Sequence, residues 1–145
     1  MLDSDASTAK TLTLVAIILQ LVFFVIGIFE VIGLAFLLAV RYTVTTSNGT
    51  VITNPVPMGA FTIISLIFSV ALLFGLLWIL LDYFLIYKKL QTERVREAES
   101  PSIILGIIQL IFGGLIPGIL LIVAYIKIRD SLYRRNSAGS QNLQS

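Results

Sequence analysis

Two acidic residues inside long apolar segments are the residues of this sequence best placed to do chemistry. Glu30 lies in the apolar run 11–40, and Asp82 lies near the end of a second run, 61–87. A carboxylate is expensive to place in hydrocarbon, so a residue of this kind usually binds a proton or a cation, or pairs with another polar group. We therefore treat Glu30 and Asp82 as candidate intramembrane proton or ion sites.

The depth of each acid within its segment favours Glu30. At ~1.5 Å per helical residue, Glu30 would lie about 7 Å from the centre of its segment and Asp82 about 12 Å, against a hydrocarbon half-thickness of ~15 Å. A hydrogen-bonded structural glutamate is the alternative at Glu30. Asp82 lies seven residues before Lys89 on the same helix face, which is typical of an anchor at the membrane surface.

Two glutamines occur in matching apolar strings. Gln20 lies in Ile-Leu-Gln-Leu-Val-Phe, residues 18–23, and Gln109 lies in Ile-Ile-Gln-Leu-Ile-Phe, residues 107–112. Side-chain amides in apolar helices can hydrogen-bond across a helix interface. We expect the two amides to serve helix packing, with a bond between them as the specific hypothesis.

Small residues recur at the spacing that lets helices approach closely. Ala71 and Gly75 share one helix face with Trp78 and Asp82. The third apolar segment carries a comparable set, with Gly114 and Gly118 four residues apart: Gly106, Gln109, Gly113, Gly114, Pro117 and Gly118. These residues predict helix packing and indicate no ligand.

Composition excludes several classes of protein. Hydrophobic residues make up 57 % of the 145 residues and charged residues only 12 %, which is typical of an integral membrane protein. With neither cysteine nor histidine in the sequence, we expect no metal site, no cofactor and no enzymatic activity. The basic residues cluster at segment ends and form no continuous stripe, so nucleic acid is not an expected partner.

Three apolar segments must position these residues, which predicts an all-α membrane fold. The first transmembrane helix is predicted at 11–40 and the second at 61–87, each long enough to cross a hydrocarbon core of ~30 Å. A third block covers 102–128 within the region 101–135. A charged loop, 88–100, separates the second and third blocks.

The loop 41–60 predicts a short β-hairpin outside the cell. It is rich in β-branched residues around Asn48-Gly49, and both central residues of a type I′ turn need positive φ. Asn48-Gly49-Thr50 is also an acceptor sequence for N-glycosylation, so Asn48 is a possible glycosylation site.

The distribution of basic residues bears on whether the third block crosses the membrane. Positive residues mark the cytoplasmic side. A single crossing would divide the ten basic residues equally, whereas a helical hairpin leaves Arg41 as the one basic residue outside. We therefore predict two long helices plus a C-terminal hairpin, with the N-terminus cytoplasmic and 41–60 outside. The alternative is a three-span bundle with a Pro-kinked third helix.

Local signals agree with the hairpin. Ser100-Pro101 suits the start of a helix, Gly113-Gly114 suits a stop, and Pro117 suits a restart. The predicted arms, 102–112 and 115–128, measure only about 17 and 21 Å as helices, each shorter than the ~30 Å hydrocarbon core. Either the hairpin is re-entrant or its second arm continues through Tyr133. The polar tail that follows, residues 136–145, is expected to be disordered.

Residues 101–118 carry the one family resemblance in the chain. The string Pro-Ser-Ile-Ile-Leu-Gly-Ile-Ile-Gln-Leu-Ile-Phe-Gly-Gly-Leu-Ile-Pro-Gly resembles the C-terminal hairpin of small uncharacterised multi-pass membrane proteins of bacteria and archaea. The resemblance covers one segment and implies a helical hairpin there. It implies no activity.

These observations predict a small non-enzymatic protein of the cell membrane that acts through helix packing. Its expected partners are the lipid bilayer and either other membrane subunits or further copies of itself. The alternative is a proton- or cation-linked small transporter or channel built around Glu30.

Overall fold

The computed structural model describes residues 3–40, 44–45, 51–52, 58–112 and 114–141. Five α-helices account for most of them: α1 Ser4–Val40, α2 Met58–Asp82, α3 Lys88–Gln91, α4 Val95–Phe112 and α5 Leu115–Gln141. A π-helical turn, Tyr83–Tyr87, joins α2 to α3. The expected helical fold is therefore confirmed for the described residues, apart from two very short strands.

Two helical stretches are long and apolar enough to cross a membrane. They are Ser4–Phe36, of 33 residues, and Thr62–Gln91, of 30 residues. Both are longer than the ~20 residues that a hydrocarbon core of ~30 Å requires. The first begins seven residues before the predicted segment, and the second continues four residues beyond the predicted end at Tyr87.

The N-terminus of α1 is fixed by a side-chain cap. The Ala6 backbone N–H donates to Asp3 Oδ1 at 2.8 Å, and the Ser7 N–H donates to the Asp3 carbonyl oxygen at 2.9 Å. Asp3 is therefore the N-cap residue, and its carboxylate satisfies one of the amides that a helix start leaves without a partner. The helix consequently begins at Ser4, ahead of the apolar residues.

The predicted loop 88–100 is a tight turn between two helices. Arg94 N–H donates to the Lys89 carbonyl at 2.9 Å and Glu93 N–H to the Leu90 carbonyl at 3.3 Å, while Glu93 has a φ of 61°. This is a Schellman motif, which ends α3 and reverses the chain within three residues. Of the predicted charged loop 88–100, residues 88–91 continue the helical path of the second segment and residues from Val95 onwards belong to α4, so the connection itself is short.

Pro101 is the seventh residue of α4, and not its first as predicted. Proline has no N–H, so the carbonyl of Glu97, four residues earlier, loses its usual helical donor. Lys89 Nζ donates to that carbonyl at 3.3 Å. This contact compensates for the missing backbone bond, which is why α4 continues through Pro101.

Helices α4 and α5 pack against each other as an antiparallel pair. A Cβ on Gly118 would lie 2.7 Å from Leu110 N and 2.9 Å from the Gly106 carbonyl oxygen, and a Cβ on Gly106 would lie 3.0 Å from Ile122 Cγ1. Only glycine at these two positions allows the backbones so close. The alternative of one Pro-kinked helix was wrong: α4 ends at Phe112 and α5 starts at Leu115.

Both arms of this hairpin are longer than predicted. Helix α4 has 18 residues and α5 has 27, or about 27 and 40 Å at ~1.5 Å per residue. Helix α5 runs to Gln141, so residues 136–141 are helical and were wrongly assigned to a disordered tail. Pro117 is the third residue of α5. The N–H groups of the first helical turn have no intrahelical acceptor, so proline removes no backbone bond there.

The chain divides into two compact units. The first, called here the bundle unit, comprises Met1–Leu21 and Leu77–Ser145; the second comprises Val22–Leu76. The core of the bundle unit combines alanines with larger aliphatic residues: Ala6, Ala9, Ala16, Ile86, Leu90, Val95, Ala98, Leu105, Leu121, Ala124 and Ile128. Small residues at these positions let the helices approach closely.

The second unit contains the C-terminal half of α1 and most of α2. A Cβ on Gly27 would lie 3.6 Å from Leu72 Cδ2, and a Cβ on Gly75 would lie 3.5 Å from Phe24 Cδ2. The two glycines thus face side chains of the opposite helix at ordinary van der Waals separation. Ala71 is exposed, so this member of the predicted packing stripe makes no buried contact within the unit.

The two strands lie in the loop between α1 and α2. β1, Val44–Thr45, and β2, Val51–Ile52, pair antiparallel with Val44 opposite Ile52. The turn centred on Asn48-Gly49 lies outside the described residues, so the type I′ turn and the glycosylation of Asn48 remain predictions.

Candidate functional site

Asp82 is a fully buried acid at the end of α2. Its exposed fraction is 0 %, and the π-helical turn Tyr83–Tyr87 begins at the next residue. A π-helical turn changes the direction in which later side chains point, and such turns occur often at functional sites. The expectation of a surface anchor paired with Lys89 does not fit this position, since Lys89 instead contacts Glu97.

Two glutamines bind the Asp82 carboxylate. Gln109 Nε2 donates to Asp82 Oδ1 and Oδ2, both at 2.9 Å, and Gln20 Nε2 donates to Oδ2 at 2.6 Å. Gln20 Nε2 also donates to Gln109 Oε1 at 2.9 Å. Gln20, Asp82 and Gln109, called here the carboxylate cluster, therefore join α1, α2 and α4 within the bundle unit.

All three members of the carboxylate cluster lie six to ten residues along the chain from a charged residue. Gln20 follows Lys10 by ten residues, Asp82 precedes Lys88 by six, and Gln109 follows Glu99 by ten. At ~1.5 Å per residue these separations are about 15, 9 and 15 Å, comparable with a hydrocarbon half-thickness of ~15 Å. A bilayer covering the apolar parts of these helices would enclose the cluster.

The cluster places a carboxylate beside neutral groups only. Among the described residues, no basic side chain forms an ion pair with Asp82. Gln109 is 3 % exposed, and Gln20 Oε1 is buried without a hydrogen-bond partner in the described structure. A buried carboxylate without a counter-charge, next to an unused amide oxygen, is unusual for a purely structural network.

A second polar cluster links the start of α1 to the end of α5. Asp5 is 7 % exposed and forms ion pairs with Lys127 Nζ at 3.2 Å and Arg134 Nη1 at 3.0 Å. Asp3 Oδ2 accepts a hydrogen bond from Ser131 Oγ at 2.6 Å and lies 3.5 Å from Arg135 Nε. These six residues, called here the terminal cluster, hold both ends of the bundle unit together: Asp3, Asp5, Lys127, Ser131, Arg134 and Arg135.

The surroundings of Asp3 favour its ionised form. Burial alone would raise the pKa of Asp3, but hydrogen bonds from Ser131 and the Ala6 N–H, together with the charge of Arg135, lower this pKa below its ordinary value of 3.8. The carboxylate therefore serves as both the helix cap and an ion-pair partner.

Glu30, the acid that the sequence favoured, has no comparable surroundings. Its side chain is exposed on the part of α1 that belongs to the second unit. No described side chain forms an ion pair with it. The structure thus separates the two acidic candidates, with Asp82 buried among partners and Glu30 on a helix surface.

The packing candidates of the third segment lie close to the carboxylate cluster. Gly106, Pro117 and Gly118 are buried where α4 and α5 meet, and Gly114 N–H donates to the Gln109 carbonyl oxygen at 2.7 Å. A Cβ on Gly114 would lie 3.3 Å from Gln109 Cβ. Gly113 lies outside the described residues. Gly114 therefore lies directly beside Gln109.

Sequence reasoning named Asp82 as a candidate site and paired Gln20 with Gln109, but it placed Asp82 near the membrane surface and did not join it to the glutamines. It missed the whole terminal cluster. For the carboxylate cluster, the available signal was that each member lies six to ten residues from a charged residue along the chain. For the terminal cluster, the signal was an acidic N-terminal tail in a chain with a basic C-terminal region.

Comparisons with models of known families, with curated proteins and with solved structures found no match for this chain.

Proposed function

We propose that this chain is a small non-enzymatic multi-pass membrane protein with both termini on the cytoplasmic side. It acts through the packing of its helices, as an accessory subunit or as a homo-oligomer. The single observation that supports this topology best is the terminal cluster, because its ion pairs hold the start of α1 beside the C-terminal part of α5. A protein whose third block crossed the bilayer once would place these ends on opposite faces.

The basic residues support the same arrangement. With α4 and α5 entering and leaving from one side, nine of the ten basic residues share that side and Arg41 alone lies on the other. Such an asymmetry is what the positive-inside rule expects of the cytoplasmic face. The terminal cluster adds the positions of two acids, Asp3 and Asp5, to a charge distribution that counts basic residues only.

Exposed apolar side chains support a bilayer as the surroundings of these helices. Large hydrophobic residues are exposed on each long helix, including Phe29 on α1, Leu73 on α2, Ile111 on α4 and Leu115 on α5. In water such surfaces would associate or aggregate, whereas lipid chains cover them without penalty. The turn between α4 and α5 can lie within the bilayer where neighbouring helices satisfy its backbone groups.

Helix packing is the proposed mode of action because Gln20, Asp82 and Gln109, within the apolar segments, bond to one another across the protein's own helices. The carboxylate cluster joins three helices. In a membrane, hydrogen bonds and close contacts between small residues provide the association energy that the hydrophobic effect provides in water. A protein built in this way offers neighbouring subunits rigid helical surfaces.

Cysteine accessibility in intact cells tests the topology. Single cysteines replace Asn48, Thr92 and Ser140 in a chain that has no cysteine of its own. We expect an impermeant thiol reagent to label the Asn48 variant only, and all three variants to react once the cells are permeabilised. Labelling of the Ser140 variant in intact cells would show that the third block crosses the membrane and would contradict the proposal.

Oligomeric state distinguishes the two forms of the proposal. Native mass spectrometry of the protein released from detergent micelles reports the number of copies in each particle. A homo-oligomer gives a defined multiple of the 16.0 kDa chain, whereas an accessory subunit purified alone gives the single chain. A heterogeneous ladder of masses without a preferred state would contradict specific helix packing.

A further inference from the structure

We propose that the carboxylate cluster is a proton-binding site in which protonation of Asp82 reverses the hydrogen bond from Gln20. The inference deepens the proposed function, because it depends on these helices lying in a bilayer. In the ionised state both glutamines donate N–H groups to the carboxylate. In the protonated state Asp82 donates its O–H to the carbonyl oxygen of Gln20, whose carboxamide has turned over.

The first reason is that the carboxylate has no counter-charge. An ionised carboxylate in hydrocarbon requires a cation, a metal or a proton to offset the loss of hydration. The charged and titratable groups nearest to the cluster on each packed element are Lys10 on α1, Tyr83, Tyr87 and Lys88 after α2, Glu99 on α4, and Tyr125 on α5. Each of the charged residues among these lies at least six residues along the chain from the nearest member of the carboxylate cluster. That separation is at least ~9 Å in a helix. A proton is the remaining neutralising species that fits within the observed contacts.

The second reason is the separation of 2.6 Å between the Gln20 carboxamide and Asp82 Oδ2. Bonds from N–H to oxygen usually measure ~2.7–3.2 Å, whereas bonds from O–H to oxygen measure ~2.5–3.0 Å. The two ends of a carboxamide have almost the same shape, so a half-turn of the group places Oε1 where Nε2 lies. The pair therefore accommodates an O–H donor on Asp82 with little movement of either backbone.

The third reason is the unused oxygen of Gln20. In the state with both amides donating, Gln20 Oε1 is buried and accepts no hydrogen bond in the described structure. A buried acceptor without a hydrogen bond raises the free energy of the folded state. Turning the carboxamide brings this oxygen onto the proton of Asp82, so the protonated state uses the idle acceptor, while Gln20 Nε2 leaves both of its described acceptors.

The geometry favours a proton over a metal ion. A metal ion would need several oxygens directed at one point. Among the described residues, no three acidic, histidine or cysteine side chains come together. With the carboxamides as the structure has them, both partners present nitrogen to Asp82, and Gln109 Oε1 accepts from Gln20 Nε2. The proton needs a single oxygen acceptor, which the Gln20 carboxamide provides after turning.

The reversal changes the contacts of α1. In the ionised state Gln20 bonds to both Asp82 and Gln109, so α1 is tied to α2 and α4. After the half-turn, Gln20 Oε1 takes the place of Nε2 at 2.9 Å from Gln109 Oε1. These two oxygens are both acceptors and repel each other, so only the bond of Gln20 to Asp82 remains. Protonation therefore loosens α1 from the α4–α5 hairpin, which couples proton binding to helix packing.

NMR of the full chain in lipid bilayers tests the site. The carboxyl carbons of aspartate and the side-chain nitrogens of glutamine carry isotope labels, and spectra are recorded across a pH series in vesicles of neutral lipid. We expect one aspartate signal and the Gln20 and Gln109 nitrogen signals to shift over the same pH interval. In Asp82→Asn, that aspartate signal should disappear and the glutamine signals should lose their pH dependence.

Matched controls make the result decisive. Glu30→Gln removes the other intramembrane acid and should leave the coupled shifts unchanged, while Gln20→Leu should leave the shift of Gln109 in place, because Gln109 donates to Asp82 directly. If Asp82→Asn fails to fold, the coincident shifts of the two glutamines in Glu30→Gln still decide. Glutamine signals that stay constant while the aspartates titrate, or that respond to sodium and not to pH, would overturn the proposal. If the NMR test fails while cysteines at Thr92 and Ser140 are still protected from the impermeant reagent, the proton site is wrong and the proposed topology stands. The two proposals can therefore fail separately.

Discussion

Gln109 is the residue on which the carboxylate cluster depends most. It contributes three of the cluster's contacts and is 3 % exposed. We predict that Gln109→Leu lowers the free energy of unfolding by about 1–2 kcal/mol, since unmet buried partners cost ~1–3 kcal/mol and membrane hydrogen bonds measure up to ~1.7 kcal/mol. Denaturant unfolding in detergent micelles, followed by circular dichroism, provides the measurement.

The control for Gln109→Leu is the same substitution at Gln91. Gln91 is exposed at the end of α3 and belongs to no described polar cluster. We expect Gln91→Leu to change the free energy of unfolding by less than ~0.5 kcal/mol, as surface substitutions usually do. Equal effects of the two substitutions would mean that the carboxylate cluster does not stabilise the bundle unit.

Asp3 makes stability depend on pH in the acidic range. The pKa of Asp3 in the folded chain lies below its ordinary value of 3.8, so the folded state favours the ionised carboxylate. The resulting stabilisation is complete above pH 3.8 and is lost as the pH falls through the lower, folded-state pKa. We predict that Asp3→Asn reduces thermal stability at neutral pH and that this difference from the unaltered chain shrinks towards pH 2.

Asp130→Asn is the control for the pH experiment. Asp130 lies on α5 next to Ser131 but takes no part in the terminal cluster. Its substitution should leave the melting temperature and its acidic pH dependence close to those of the unaltered chain. A loss of stability in Asp3→Asn that is the same at every pH would show that the ionisation of Asp3 contributes nothing.

At the scale of elements, the contact between α4 and α5 depends on glycine. A Cβ on Gly118 would lie 2.7 Å from Leu110 N, an atom of the backbone that cannot move aside as a side chain can. We predict that Gly118→Ala destabilises the protein by about 1–3 kcal/mol, the usual effect of overpacking. Thermal unfolding in micelles, with the helix content followed throughout, measures the change.

Gly33→Ala tests the same substitution where space is open. Apart from the adjacent residues and the backbone of its own helix, no described atom lies within 4 Å of a Cβ at Gly33. Alanine favours helix over glycine by about 0.8–1.0 kcal/mol, so this variant should be as stable as the unaltered chain or more stable. Destabilisation of similar size at both positions would imply a helix-wide effect and not a local clash at Gly118.

The helices of this fold were largely predictable from the sequence, because apolar length and turn residues are local signals. The hairpin prediction followed from Gly113-Gly114 and Pro117 together with the charge distribution, and the structure has two helices there. Helix ends were less predictable. Pro101 was assigned to a helix start, whereas the Lys89 contact that lets α4 continue through it depends on tertiary structure.

The carboxylate cluster was only partly predictable, for a related reason. Gln20 and Gln109 were linked through their matching strings, and the structure joins their amides. Asp82 was judged by its distance from the centre of its own segment, which ignores how far the neighbouring helices extend. Its burial results from α1 and α4 lying over that face of α2, and no single-helix pattern contains this information.

At the scale of the whole molecule, polar contacts are divided between two levels of the bundle unit. The terminal cluster joins α1 to α5, and the carboxylate cluster joins α1 to α2 and α4. Helix α1 takes part in both. If a proton loosens the carboxylate cluster, the first turn of α1 stays attached to α5 through the terminal cluster. Any movement of α1 would then be a rotation about that attachment.

The terminal cluster yields a direct test of how the chain is arranged in the membrane. Ser131 Oγ lies 2.6 Å from Asp3 Oδ2, so cysteines at these two positions should be joined within one chain by a short bis-maleimide. The control pair is Asn48→Cys with Ser131→Cys, which the proposed topology places on opposite faces of the membrane. We expect gel mobility and mass spectrometry of a peptide digest to show an intramolecular link in the first pair and none in the second. Links found only between chains in the first pair would mean that the first turn of α1 contacts α5 of another copy, and the shared side of the two termini would then require assembly.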